Sequence, residues 1–145
     1  MIRPLETFDV SGLKVQDKQR DYKDHINKLA LGGHLYDGFS YLENGQVKAV
    51  FGMQPFWAGR SIVWALIGDI ESWIKLHKQV KSLMESYAIK RGILRLEMTT
   101  EEGFIESERW AKLLGFEYES TMQNFGVDGK NHKMWVRLWQ QQSRL

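Results

Sequence analysis

Arg60–Gly92 reads RSIVWALIGDIESWIKLHKQVKSLMESYAIKRG. Ser61–Ile67 is an almost unbroken apolar run, the pattern of a strand covered on both faces and therefore central in its sheet. A short polar loop follows, and Ser72 is suited to cap the next helix. Leu76, Val80, Leu83, Met84 and Tyr87 then recur at helical spacing, and Arg91-Gly92 closes the helix. A strand running into a helix N-terminus gathers unpaired backbone N–H groups, which favour an anion. The junction therefore either holds a phosphate-bearing ligand or is only a structural crossing.

Working downstream, Ile93–Met98 alternates, with Leu94, Leu96 and Met98 on one face and Arg95 and Glu97 on the other. The βαβ spacing over 61–98 makes the two strands parallel neighbours joined by a right-handed crossover. A helix is expected from Glu102 to Leu114, stopped at Gly115. Tyr118–Phe125, the turn Val127-Asp128-Gly129-Lys130 and His132–Trp139 then form a C-terminal hairpin, followed by a polar, frayed tail over 140–145.

Working upstream, Asn44-Gly45 is a strong hairpin signal between expected strands Leu35–Leu42 and Gln46–Trp57. Ala58-Gly59 turns the chain into the central strand. Before the hairpin, Val15–Leu31 reads as a helix with Tyr22, Ile26, Leu29 and Ala30 on one stripe, ended by Gly32-Gly33. Arg3–Val10 reads as a first strand, with Pro4 near its start. The fold class is α/β (α+β): one domain over 1–145, with a mixed, twisted sheet of six to seven strands flanked by about three helices.

Composition narrows the functions open to such a domain. The 145 residues are 43% hydrophobic and 26% charged, enough for a packed core. A net charge of +2 gives no basic stripe, so no specific nucleic-acid partner is expected. The absence of cysteine excludes disulfides, thiolate metal sites and a cysteine nucleophile, and fits a reducing compartment. No apolar run reaches the roughly 20 residues of a membrane span, and the N-terminus lacks a signal-peptide pattern. The expected location is the cytoplasm. His25, His34, His77 and His132 have no ligand spacing, so no metal is assigned. Serine-hydrolase and nucleotide-triphosphatase motifs are absent. Six tryptophans are read as an aromatic core, or in part as an interface.

The order strand, helix, three-strand meander, helix, strand, helix, hairpin resembles that of the GCN5-related N-acetyltransferase (GNAT) fold. Glu108–Val136 looks most like it, with Leu114-Gly115-Phe116 matching the family's Leu-Gly-Phe step and Phe125-Gly126-Val127-Asp128-Gly129 its closing turn. The resemblance implies acetyl transfer from acetyl-CoA to an amine of a small molecule or a protein. Family members splay two parallel strands, here Ser61–Ile67 and Ile93–Met98, and seat the cofactor's pyrophosphate on the N-terminus of the helix between them. Carried onto this chain, the cofactor-binding residues are Ile67, Gly68, Asp69, Ser72, Lys75 and Lys78, and the candidate general bases are Asp69 and Glu97.

The chain departs from the family pattern at its most specific positions. The family loop carries Gln/Arg-x-x-Gly-x-Gly/Ala, whereas Glu71–Lys78 has no glycine after Gly68, and Glu71 adds a negative charge. Lys75, His77 and Lys78 either supply positive charge there or are solvated residues of an exposed helix face. Ala111 stands where members carry a catalytic Tyr, and Phe104 where an Asn commonly opens the last helix. Asp69 is alternatively a loop or cap residue, and Glu97 a surface residue of its strand.

A narrower resemblance is to GNAT-like proteins encoded among the internal virion genes of short-tailed podophages, through Ile2-Arg3-Pro4 and a central helix without the glycine signature. It implies virion or assembly partners in place of catalysis, with the host cytoplasm or the virion as location. A homodimer is left open as the assembly state.

Overall fold

The computed structural model describes residues 1–16, 19–32 and 37–140. His34, Leu35 and the tail beyond 140 lie outside the described residues. The elements run β1 (Ile2–Pro4), α1 (Arg20–Leu31), β2 (Gly38–Glu43), β3 (Gln46–Trp57), β4 (Arg60–Ile67), α2 (Trp73–Lys90), β5 (Arg95–Glu101), α3 (Ile105–Leu113), β6 (Glu117–Met122) and β7 (His132–Leu138). The seven strands take the order β1-β2-β3-β4-β5-β7-β6, so β4 is the central strand, as its unbroken apolar run requires.

The expected elements are all present, with shifted ends. The first strand stops at Pro4, and the chain turns because Asp9 gathers polar groups around itself. Its carboxylate accepts from the Arg3 guanidinium at 2.7 and 3.0 Å, the Ser40 hydroxyl at 2.7 Å and the Glu6 N–H at 2.8 Å. α1 begins at Arg20 rather than Val15, and α3 at Ile105 rather than Glu102, where Gly103 takes φ +87° just before the helix. Asn44 and Gly45 both have positive φ, 51° and 75°, the backbone that an Asn-Gly hairpin turn demands.

The chain divides into two compact units, 1–54 with 64–80, and 55–63 with 81–145. In the first unit Val10, Leu13, Ile26, Ala30, Val50, Trp64 and Leu66 form the core. Gly68 sits under it at a close backbone crossing. A Cβ there would lie 2.7 Å from the carbonyl of Lys14 and 2.8 Å from that of Lys48. In the second unit Leu96, Ala111, Leu114, Phe116, Trp135 and Val136 are buried. There β4 pairs in parallel with β5 from Arg60↔Arg95 to Ile62↔Glu97, and β5 pairs antiparallel with β7.

The tryptophans are not all core residues. Trp64 and Trp135 are core residues, and the Trp135 indole donates to the buried Thr100 hydroxyl at 2.9 Å. Trp57 and Trp73 are exposed. The expected surface position of Glu97 is corrected: its side chain is 1% exposed. The alternation rule assigned it outward because one face of β5 was taken as solvated, whereas arginine side chains cover that face.

Candidate functional site

The first unit holds the junction between β4 and α2. Leu76 N–H bonds to the Ser72 carbonyl at 3.2 Å, which places Ser72 at the residue before the helix. The N–H groups just upstream of the helix converge on a side chain from another hairpin. Glu43, the last residue of β2, accepts the Glu71 N–H on Oε1 and the Ser72 N–H on Oε2, both at 2.9 Å. The Tyr41 hydroxyl donates to the same Oε2 at 3.0 Å. An open depression of about 460 Å³ adjoins them, lined by Tyr41, Glu43, Asn44, Glu71, Ser72 and Lys75 among others.

The electrostatics follow from these contacts. Burial works to raise the Glu43 pKa, but the two backbone N–H groups, the Tyr41 hydroxyl and the charge of Lys48 outweigh it and hold it below the usual carboxylate range. Burial together with the Glu43 carboxylate pushes the Tyr41 phenol up to about 12, so it stays a donor at neutral pH. Glu43 is thus an ionised internal anion seated on backbone donors beside a helix N-terminus.

The edge of β4 just before the loop is engaged in a similar way. Gly68 N–H bonds to the Lys48 carbonyl in β3 at 2.8 Å. By the alternation of a strand, Ile67 and Ala65 direct their backbone groups to the edge away from β3. The Gln19 side-chain amide takes both, donating to the Ala65 carbonyl at 3.1 Å and accepting the Ile67 N–H at 2.9 Å. Gln19 stands at the N-cap of α1 yet makes no side-chain cap bond, because its amide is used on β4.

Of the residues expected at the cofactor site, Ile67, Gly68, Asp69, Ser72 and Lys75 fall in this one junction. The Ile67, Gly68 and Ser72 N–H groups are already bonded within the chain. Lys75 lines the depression, while Asp69, Lys75 and Lys78 are exposed. Glu43, Tyr41 and Gln19 were not singled out from sequence. Glu43 carries a faint signal as the residue entering the Asn-Gly turn; Gln19 carries none, since its partner lies 48 residues away.

Glu97 belongs to the second unit and has a different environment. Arg60 grips it in a fork, Nε to Oε2 at 2.6 Å and an Nη to Oε1 at 2.8 Å, and Arg95 Nε lies 3.4 Å from Oε2. Arg60 is itself stacked on Phe56 and Trp57 at 4.3 and 4.6 Å, and Arg95 forks onto Glu119 at 2.6 and 2.8 Å. The Arg60 hydrogen bonds, against opposing burial and with help from both positive charges, hold the Glu97 pKa below the usual range. Such a carboxylate is a weak base and a strong cross-strand tie. Ala111 is fully buried on α3, and Phe104 is buried before it. Among the described residues no group of three His, Cys, Asp or Glu side chains is placed to hold a metal, and no helix is long and apolar enough to cross a membrane.

Neither a protein-family model nor a curated protein sequence matches the chain. Solved structures do match, over nearly the whole length. Ard1 from Thermoplasma volcanium superposes with a TM-score of 0.74 at 17% identity, covering 95% of this chain and 96% of its own. The ribosomal-protein-alanine N-acetyltransferase from Brucella melitensis gives 0.70 at 13% identity, covering 96% and 99%. A GNAT family acetyltransferase from Elizabethkingia anophelis, solved with acetyl-CoA bound, gives 0.67 at 10% identity, covering 96% and 97%. The fold of this chain is the GNAT acetyltransferase fold.

Proposed function

We propose that the chain is an acyl-CoA-dependent N-acyltransferase that moves an acetyl group to the amine of a small molecule or a protein, using a cofactor loop without the usual glycines. The observation that carries this reading is the pair of N–H groups at Glu71 and Ser72, which converge on both oxygens of one carboxylate at the mouth of α2. A carboxylate there stands in for an anion, so the backbone suits a phosphate once Glu43 has moved aside. The Ser72 N–H and the exposed amines of Lys75 and Lys78 are the groups that would hold acetyl-CoA's phosphates. Ile67 and Gly68 shape the turn that presents them, and Asp69 is the carboxylate of that turn.

Acetyl-CoA, when bound, supplies an activated thioester. The amine nitrogen forms the new C–N bond as the C–S bond breaks, the amine proton passes to a base, and the thiolate takes a proton from water. The chain contributes mainly proximity and a route for the amine proton. Asp69 is exposed and suits that route better than Glu97, which two guanidinium groups already engage. Ala111 carries no proton for the leaving thiolate.

The test is calorimetric titration with acetyl-CoA, followed by thiol release across a panel of amines. Because the chain has no cysteine, a thiol reagent reads released coenzyme A without background from the protein. Saturable heat and amine-dependent thiol release are expected. No heat and no thermal shift at millimolar acetyl-CoA would overturn the proposal.

One observation favours a second reading. The N–H groups of Ile67, Gly68, Glu71 and Ser72 are all bonded within the chain, as suits a GNAT-fold protein that binds no acyl-CoA. In that reading the protein works in virion structure or assembly through protein partners. It then sediments with assembled particles and gives no heat with acetyl-CoA.

A further inference from the structure

We propose that the sheet face carrying Phe56, Trp57 and Leu138 is the contact by which two copies of this chain pair across a two-fold axis. The inference is independent of the acyltransferase reading. Strand register defines the face. Arg60, Arg95 and Leu138 are successive cross-strand partners on β4, β5 and β7, and Ile62, Glu97, Val136 and Glu117 form the next row. Residues directly opposite one another point to the same side of a sheet. Both helical segments of this unit bond to the other side. Tyr87 of α2 shares a hydrogen bond with Ser61, Glu85 meets Arg137, and Glu108 of α3 meets Lys133.

Large apolar side chains stand out around the Arg60 row. Leu138 is 67% exposed, Trp57 62% and Phe56 49%, and both rings stack on the Arg60 guanidinium. Aromatic rings, an arginine and an aliphatic anchor are what the buried centre of a protein interface is made of. The charges select the occupant. Arg60 and Arg95 are matched within the chain by Glu97 and Glu119, so the face offers no free positive charge to a nucleic acid or an acidic peptide. What remains is a gradient, with the guanidinium groups toward β4 and the carboxylates of Glu117 and Glu119 on the exposed edge strand β6. A second copy turned about an axis along the strands lays its β6 edge over Arg60 of the first. Each arginine end then faces a carboxylate end, twice by symmetry. Two sheets stacked in this way pack as the halves of a sandwich do.

The experiment is sedimentation equilibrium of the full chain, beside Leu138→Asp, Trp57→Ser, Glu117→Lys and the control Leu113→Asp. Leu113 is also exposed, but it lies on α3, which bonds to the opposite side of the sheet. One chain weighs 17.0 kDa, and the wild type should show twice that mass at about 100 μM. Leu138→Asp and Trp57→Ser should each weaken self-association about tenfold or more. Glu117→Lys reverses one end of the gradient without touching the arginine forks, and should weaken it by a smaller factor. Leu113→Asp should leave it unchanged.

A wild type that stays at 17.0 kDa throughout that range overturns the proposal. So does a dimer that Leu138→Asp and Trp57→Ser leave intact, since the copies then meet through another surface. Equal weakening by Leu113→Asp has the same meaning. A monomer that instead retains a single-stranded oligonucleotide or an acidic peptide gives the face to that partner and overturns the pairing. Glu117→Lys alters an exposed side chain on the edge strand, so the effect of the gradient remains readable should a variant at Trp57 or Leu138 fail to fold.

Discussion

Glu43 and Glu97 are both shielded carboxylates held below their usual pKa, and they differ in what holds them. Glu97 is gripped by two arginine side chains, one of them stacked on Phe56 and Trp57. Every group in that cluster carries its own counter-charge, so nothing there awaits a ligand. Glu43 is held mainly by backbone N–H groups beside a helix N-terminus, with one neutral hydroxyl and the charge of Lys48 adding to them. Remove Glu43, and what remains is two backbone N–H groups without their acceptor; remove Glu97, and what remains is a pair of unbalanced arginines. The same residue type with the same direction of pKa shift thus marks a structural tie in one unit and a candidate binding site in the other.

The largest effect should come from cutting the tie. Glu97→Gln leaves Arg60 and Arg95 facing a neutral amide, and should cost about 2–3 kcal/mol in urea unfolding. That is below the roughly 3–5 kcal/mol of a fully buried pair. The discount reflects water reaching the arginines, whose side chains are 29% and 30% exposed. A loss no greater than that of a surface substitution would place Glu97 among the replaceable charges and break the comparison.

Gly68→Ala probes the turn that presents the loop. The new Cβ would press on two backbone carbonyls that have no rotamer to yield, so a loss of about 1–3 kcal/mol is expected in thermal or urea unfolding. Glu43→Ala should cost less, about 1 kcal/mol, the usual effect of removing a helix-terminal acceptor. Unlike the loss at Glu97, it should be recovered on adding a phosphate-bearing anion, since the N–H groups survive the substitution. Failure of pyrophosphate to restore the melting temperature would count against the site.

Acid should act on both carboxylates in the same direction. Their folded pKa values lie below the reference of 4.5, so each contributes stability above that pH and loses it as pH falls through the folded value. Urea unfolding followed from pH 6 down to about pH 3 should therefore show falling stability below about pH 4.5. The slope should be shallower in Glu97→Gln. An equal slope in the variant would mean that other carboxylates, such as Asp9, carry the acid sensitivity.

The smallest expected change is Tyr41→Phe, about 0.5–1 kcal/mol for one hydroxyl bond to a carboxylate that keeps its other partners.

Local signals made the scaffold legible. The apolar run of β4 predicted its central place, the stripe Leu76, Val80, Leu83, Met84 and Tyr87 predicted a face of α2 that is buried at all of these but Leu83, and Asn44-Gly45 predicted its turn. Each of these is written in residues a few positions apart. The site was legible only as an address. The loop from Asp69 to Lys75 was singled out as the candidate, but the side chains that bond to it and to the end of β4 come from far along the chain: Glu43 across 28 and 29 positions and Gln19 across 48. Periodicity carries no trace of such pairings. Glu97 was misjudged as a surface residue for a related reason. Alternation sorts faces but does not say that Arg60 and Arg95 would cover one of them.

The most direct test of the central claim is an amide proton–nitrogen titration of the wild-type protein with acetyl-CoA. If the start of α2 is a phosphate site held by Glu43, the Glu71 and Ser72 resonances should move saturably as the carboxylate gives way, with Ser72 and Lys75 marking the path of the ligand. Resonances that stay fixed through millimolar acetyl-CoA would contradict it, and would leave Glu43 as a helix cap and nothing more.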